Sequence, residues 1–174
     1  MVAVPRLDMA ELLAVVNYYA VTPRRAAEDE HEGYPALTAV LGEAPDRFPD
    51  INLGELQALA AEAYGVFVAA QDGGDVAACV NVMLAAAAPR PTCTDECGIA
   101  WEVDDSDQIL RAAIGITLLD WLHTRGAERL GICRGIRCAD AFADLSPSGR
   151  KIFCSNGCLN RHKVAEHRRR AKTA

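Results

Sequence analysis

Four cysteines near the C-terminal end constrain this chain more than any other feature. Cys133 and Cys138 enclose four residues, Cys154 and Cys158 enclose three, and fifteen residues, ADAFADLSPSGRKIF, lie between the pairs. Two short cysteine loops held apart by a hairpin bring four thiolates to one point, as tetrahedral zinc requires with Zn–S bonds of about 2.3 Å. In the intervening stretch ADAFAD and RKIFC alternate as strands about an SPSG turn. After the second pair, CLNRHKVAEHRRRAK contains neither Gly nor Pro, and Asn156 is placed to cap a helix whose N-terminal partial positive charge favours thiolate. Knuckle, hairpin, second knuckle and helix make a treble-clef-like module over residues 128–174, with Cys133, Cys138, Cys154 and Cys158 as ligands of one structural Zn2+. His162, one helical turn beyond Cys158, is a weaker ligand candidate because four thiols are already present.

The metal answers a size problem. A chain of 174 residues suits one domain with a small appendage, and the appendage lies below the size at which an apolar core suffices. Hydrophobic residues make up 51% but aromatics only 6%, which points to a mainly α body with one small β-hairpin over residues 1–127. Helical periodicity runs from Asp8 to about Ala20, where Pro23 ends it, and a long connection to Asp50 holds a short helix at Ala36–Leu41. Asn52 caps a helix to about Ala70, Asp75 to Ala88 forms another, and Pro91 to Val103 reads as a hairpin. A long helix from Asp105 or Ser106 to Thr124 closes at Gly126.

Charge is divided unevenly. Residues 145–174 carry eight Lys or Arg against Glu166 alone, a net +7, while the other 144 residues carry ten bases and 23 acids, a net −13. An acidic body with a basic end suggests a local polyanion-binding surface. On a helix turning about 100° per residue, Cys158, Arg161, Val164, Ala165 and Arg169 look inward and Asn160, Lys163, His167 and Arg170 outward. With Arg150, Lys151, Arg161 and Arg168, that outward strip is the candidate nucleic-acid surface, its cations for phosphates and Asn160 for a base edge. An ordinary solvated face is the plainer alternative.

The residues from Arg129 to Arg170 carry Cys-x4-Cys, Phe142-x-Asp144-x-Ser146, Phe153-Cys154-Ser155, Cys158-x-Asn160-Arg161, Lys163-Val164-Ala165 and His167-Arg168. This stretch resembles the CGNR zinc finger. Leu159 stands where that family has Gly and Phe153 where Trp is usual, and neither position is a metal ligand. The finger commonly follows a helical ABATE domain, assigned to stress-induced transcription regulators, and LLAVVNYYAVTPR is similar to that domain's opening helix. The resemblance implies a bacterial DNA-binding transcription regulator with zinc in the finger and a body that senses or dimerises.

The remaining chemistry is sparse. Cys93 and Cys97, across the predicted hairpin and near Cys79, are candidates for a redox pair or a second metal site; two thiols on a strand is the plainer reading. His31 with Asp29 and Glu30 is a weak cation-site candidate. No phosphate loop, HExxH or GxSxG occurs, so no enzyme is expected. Neither a signal peptide nor an apolar run of roughly 20 residues is visible, so a cytoplasmic protein without membrane contact is expected. Expected partners are DNA, a second copy of the chain as the default dimer, and a small-molecule or redox effector; the alternative is a zinc-stabilised protein or RNA interaction module.

Overall fold

Asp8 fixes where the first helix begins: its carboxylate accepts from the Glu11 N–H, and the Glu11 carboxylate accepts from the Asp8 N–H, both at 2.8 Å. In the computed structural model, which describes residues 1–29, 31–42 and 47–173, helix α1 (Met9–Tyr19) then buries Leu12, Val15, Val16 and Tyr19. Ahead of it lies a two-residue strand, β1 (Val2–Ala3), too short for any alternation to reveal. Pro23 does not open a connection as expected. It sits in the first turn of a second helix, α2 (Val21–Ala27), where a missing N–H costs no intrahelical bond.

The next elements follow the sequence closely. A short α3 (Leu37–Leu41) precedes α4 (Leu53–Asp72), which Asn52 caps by accepting from the Glu55 N–H at 3.0 Å. Asp75 caps α5 (Val76–Ala87) in the same way. Strands β2 (Arg90–Cys93) and β3 (Ile99–Val103) form the hairpin, and β1 adds antiparallel to β3, giving the order β1-β3-β2. A 3-10 turn at Ser106–Gln108 leads into α6 (Ile109–Arg125). Tyr19, Phe67, Met83, Ile114 and Leu118 are fully buried among α1, α4, α5 and α6. Helices α5 and α6 pack so closely that a Cβ on Gly115 would lie 3.0 Å from Leu84 Cδ2.

The chain ends with β4 (Leu130–Ile132), β5 (Ala141–Ala143) and α7 (Asn156–Thr173). The expected pairing of ADAFAD with RKIFC does not form; β5 pairs antiparallel with β4 instead, Gly131 opposite Phe142. Asp144 accounts for the difference. Its buried carboxylate accepts from the Ser146 N–H at 2.8 Å and the Lys151 N–H at 2.9 Å, so a side chain occupies the place of a ladder partner. The next carbonyl, of Ile152, accepts from the Arg134 N–H at 3.1 Å.

The β4–β5 ribbon has two apolar faces. Leu130, Ile132, Ala141 and Ala143 belong to the same core as α1 and α4, while Phe142 packs with Cys133, Phe153 and Cys158. Strand alternation sends neighbouring residues to opposite sides, so three residues per strand suffice for both contacts. Further ties come from α4, where the Tyr64 hydroxyl donates to the Ala139 carbonyl at 2.8 Å and Gln71 Oε1 accepts from the Ile132 N–H at 3.0 Å. Glu28 adds an exposed ion pair with Arg137 at 3.3 Å.

Candidate metal centre

The ribbon's tight connection, residues 133–140, presents the first cysteine pair. Gly135 is required there: a Cβ would lie 3.0 Å from Cys158 Cβ and 3.3 Å from both Cys133 Sγ and Cys158 Sγ. Arg137 takes a left-handed φ of +54°, turning the chain back toward β5. The second pair straddles the start of α7. The cap is Ser155 and not Asn156, with Ser155 Oγ accepting from the Cys158 N–H at 3.3 Å and its carbonyl from the Leu159 N–H at 3.2 Å. Cys158 is thereby held in the first turn, where the helix dipole favours thiolate.

All four Sγ atoms lie within 4.8 Å of one another. Cys138 and Cys154 are 3.7 Å apart, Cys154 and Cys158 3.5 Å. Four sulfurs at Zn–S distances of about 2.3 Å in a tetrahedron stand about 3.8 Å apart, so this set fits zinc with little movement. Donors aimed at the sulfurs suit thiolates as well. Cys133 Sγ accepts from the Gly135 N–H at 3.4 Å and the Cys154 N–H at 3.2 Å, and Cys158 Sγ accepts from Arg161 at 2.9 Å. The finger holds one structural zinc ion per chain, with four protein ligands and no open coordination position.

The thiols by themselves are unequal. Burial pushes Cys138 up, and burial with hydrogen bonds to Cys158 and Asp140 pushes Cys154 up to about 12. Burial also opposes ionisation of Cys158, but hydrogen bonds from Ser155 and the neighbouring thiols outweigh it and bring Cys158 down to about 7. Cys158 is therefore about half ionised at neutral pH, and the metal must displace protons from Cys138 and Cys154.

The other sequence candidates fall in several places. His162 packs against Phe153 with the rings tilted at 48° and their centroids 5.1 Å apart, outside the sulfur cluster. Asn160, Arg161, Lys163, His167, Arg168 and Arg170 are exposed along α7, and Arg170 pairs with Glu166 at 2.6 Å. The inward stripe of α7 differs from the expected one. Leu159, His162, Ala165 and Glu166 are the partly buried residues beyond Cys158, while Arg169 and Val164 are exposed. Arg150 and Lys151 are exposed, the Lys151 ammonium lying 5.5 Å from the Phe142 ring centre.

Cys93 lies opposite Ile99, and Cys97 sits in the turn with φ +57°, so the two thiols do not face each other across the strands as expected. Both are exposed; Cys79 is half-buried against the main core. His31 is exposed, and Glu30, part of the same candidate, lies outside the described residues. Sequence reasoning missed Asn17, whose amide clamps Ala141 of β5; an Asn inside an otherwise apolar helical stripe was the only available signal. Among the described residues, no helix is long and apolar enough to cross a membrane. No curated protein matches the chain. Over residues 129–171, which take in all four thiols and nearly all of α7, the chain matches the family model of the CGNR zinc finger.

Proposed function

We propose that this chain is a cytoplasmic, non-enzymatic transcription regulator that binds DNA through α7, as a homodimer whose helical body senses an effector. One observation carries the reading: a helix fixed at its first turn by zinc exposes Asn160, Lys163, His167 and Arg168, in a segment with one acid against eight bases. Cations on a pinned helix suit phosphate contacts, and an amide among them suits an adenine edge. A sensing role is supported by a cleft of about 1040 Å³ between α1, α2 and the knuckle, lined by Tyr18, Arg24, Tyr34, Arg137 and Arg161. Buried Arg24 lies 4.1 Å from the Tyr34 ring centre, and among the described residues its Nε–H finds no hydrogen-bond partner. The resemblance to stress-induced regulators belongs to the same reading, as does a redox effector acting at exposed Cys93 and Cys97.

The test is selection from a random DNA library with zinc-loaded protein near physiological salt, beside Cys154→Ser and a Lys163→Ala/Arg168→Ala pair. A recurring motif, lost in the first variant and weakened in the second, is the expected result; binding should also fall steeply with salt. A folded finger that selects nothing overturns the reading. The second reading, a protein or RNA interaction module, then takes over. It is favoured by a groove of about 580 Å³ beside α7, whose floor of Ile136, Val164 and Ala165 is rimmed by Arg161, Arg168 and Arg169, a shape for an acidic peptide with an apolar side.

A further inference from the structure

Helix α5 has an unusual surface for an acidic body. Its twelve residues, VAACVNVMLAAA, include no charge. Val76, Val80, Met83 and Ala87 are buried, yet Ala77, Ala78, Asn81, Val82, Ala85 and Ala86 are exposed, and Val82 is 62% exposed. The exposed residues recur as adjacent pairs every four positions, which sets them on one face about 13 Å long. A helix apolar on all sides is ordinarily covered on all sides.

We infer that this face is where two copies of the chain pair, α5 against α5 about a two-fold axis. Three features select a second copy over another partner. First, an isologous interface sets a patch against itself, so any charged patch of a body with net −13 would meet its own charge. The α5 face carries none. Secondly, its only polar side chain is Asn81, whose carboxamide is self-complementary: the NH2 of one donates to the C=O of its mate, and the reverse. A single Asn within an apolar helical seam is also a known way of fixing register. Thirdly, the position is right. Asn81 and Val82 flank the midpoint of Val76–Ala87, so an antiparallel crossing there aligns both helices over their whole length. Alanines on either side permit close approach, within the usual 8–10 Å between axes. Antiparallel pairing also sets the N-terminus of each helix beside the C-terminus of the other, so that the two dipoles oppose.

The interface gives a location to the homodimer of the preceding reading, and the experiment separates the two. Sedimentation velocity of the full zinc-loaded chain should show a dimer at micromolar concentration. Val82→Asp should raise the dissociation constant about tenfold or more, by placing two carboxylates at the axis. Zinc content and thermal unfolding of the monomer should be unchanged, because Val82 is a surface residue. In a Cys93→Ser/Cys97→Ser background, Val82→Cys should form an intermolecular disulfide on mild oxidation. A wild-type monomer at high micromolar concentration, or a dimer indifferent to Val82→Asp and not cross-linked through position 82, overturns the inference. A monomer that still selects a DNA motif sinks the interface and the homodimer but leaves DNA binding through α7 standing; a Val82-dependent dimer that selects none sinks the DNA reading alone.

Discussion

The side-chain amide of Asn17 and the backbone of Ala141 exchange two hydrogen bonds across 124 residues of sequence: Asn17 Nδ2 donates to the Ala141 carbonyl at 3.0 Å, and Asn17 Oδ1 accepts from the Ala141 N–H at 2.8 Å. Helix α1 thus completes the free edge of β5 as a third strand would. Asn17→Ala leaves two partly buried backbone groups unpaired and should cost about 1–3 kcal/mol. The urea midpoint of zinc-loaded protein measures it. Asn17→Asp, which keeps an acceptor but loses the donor, should do no better.

Zinc affinity should depend strongly on pH. Because the Cys138 and Cys154 thiols are pushed up, binding at neutral pH expels at least two protons, and affinity should fall about hundredfold or more per pH unit on acidification. Competition with a chromogenic chelator between pH 6 and 8 reads the slope directly. A slope near zero would mean the thiols are already ionised.

Arg161 bears on the same site. Its guanidinium donates to Cys158 Sγ at 2.9 Å, which offsets part of the charge that four thiolates place around one dication. Arg161→Ala should weaken zinc about 10–100-fold, with Arg161→Lys intermediate, because an ammonium keeps charge but not the planar fork. Zinc dissociation measured without DNA separates this effect from any loss of phosphate contact.

Asp144 should add a separate contribution to stability in acid, lost only below the pH range in which the thiols reprotonate and release zinc. Burial pushes its pKa up, but hydrogen bonds from the Lys151 and Ser146 N–H groups and the charge of Arg129 outweigh that and hold it below the usual 3.8. A folded-state pKa below the unfolded one contributes stability that is complete above about 3.8 and lost as pH falls through the depressed value. Asp144→Asn should therefore flatten the acid limb of a stability profile measured on α7 helicity. At neutral pH it should cost about 1–3 kcal/mol, since an amide has one acceptor oxygen and would set an NH2 donor against the second N–H.

What could be read from the chain was whatever depends on near neighbours. The cap at Asn52, the helix starts at Asp8 and Asp75 and the apolar periods of α1, α4, α5 and α6 are local, and the cysteine spacings are local within each pair. Pro23 misled because the same residue ends one helix or begins another, depending on an N-terminus one turn away. The strand partner of Ala141–Ala143 was hidden for a different reason. RKIF alternates as well as Leu130–Ile132 does, but the Asp144 carboxylate holds Lys151 by a side chain, and no pattern of apolar residues encodes that. The Asn17 clamp was out of reach because an Asn within an apolar helical stripe marks an amide turned inward but does not name its partner 124 residues away.

The double-sided ribbon also orders events in time. During synthesis helices α1 to α6 emerge first, but the core they share with Leu130, Ile132, Ala141 and Ala143 stays open until β5 has left the ribosome. The cysteine pair between the strands emerges with them, so metal capture and closure of the core fall in the same interval. A nascent chain stalled before Leu130 should be cut readily by protease within α1 and α4, and one stalled after α7 should resist only where zinc is present. Scarcity of zinc would then act on this protein as a failure of maturation, felt at its N-terminal helix.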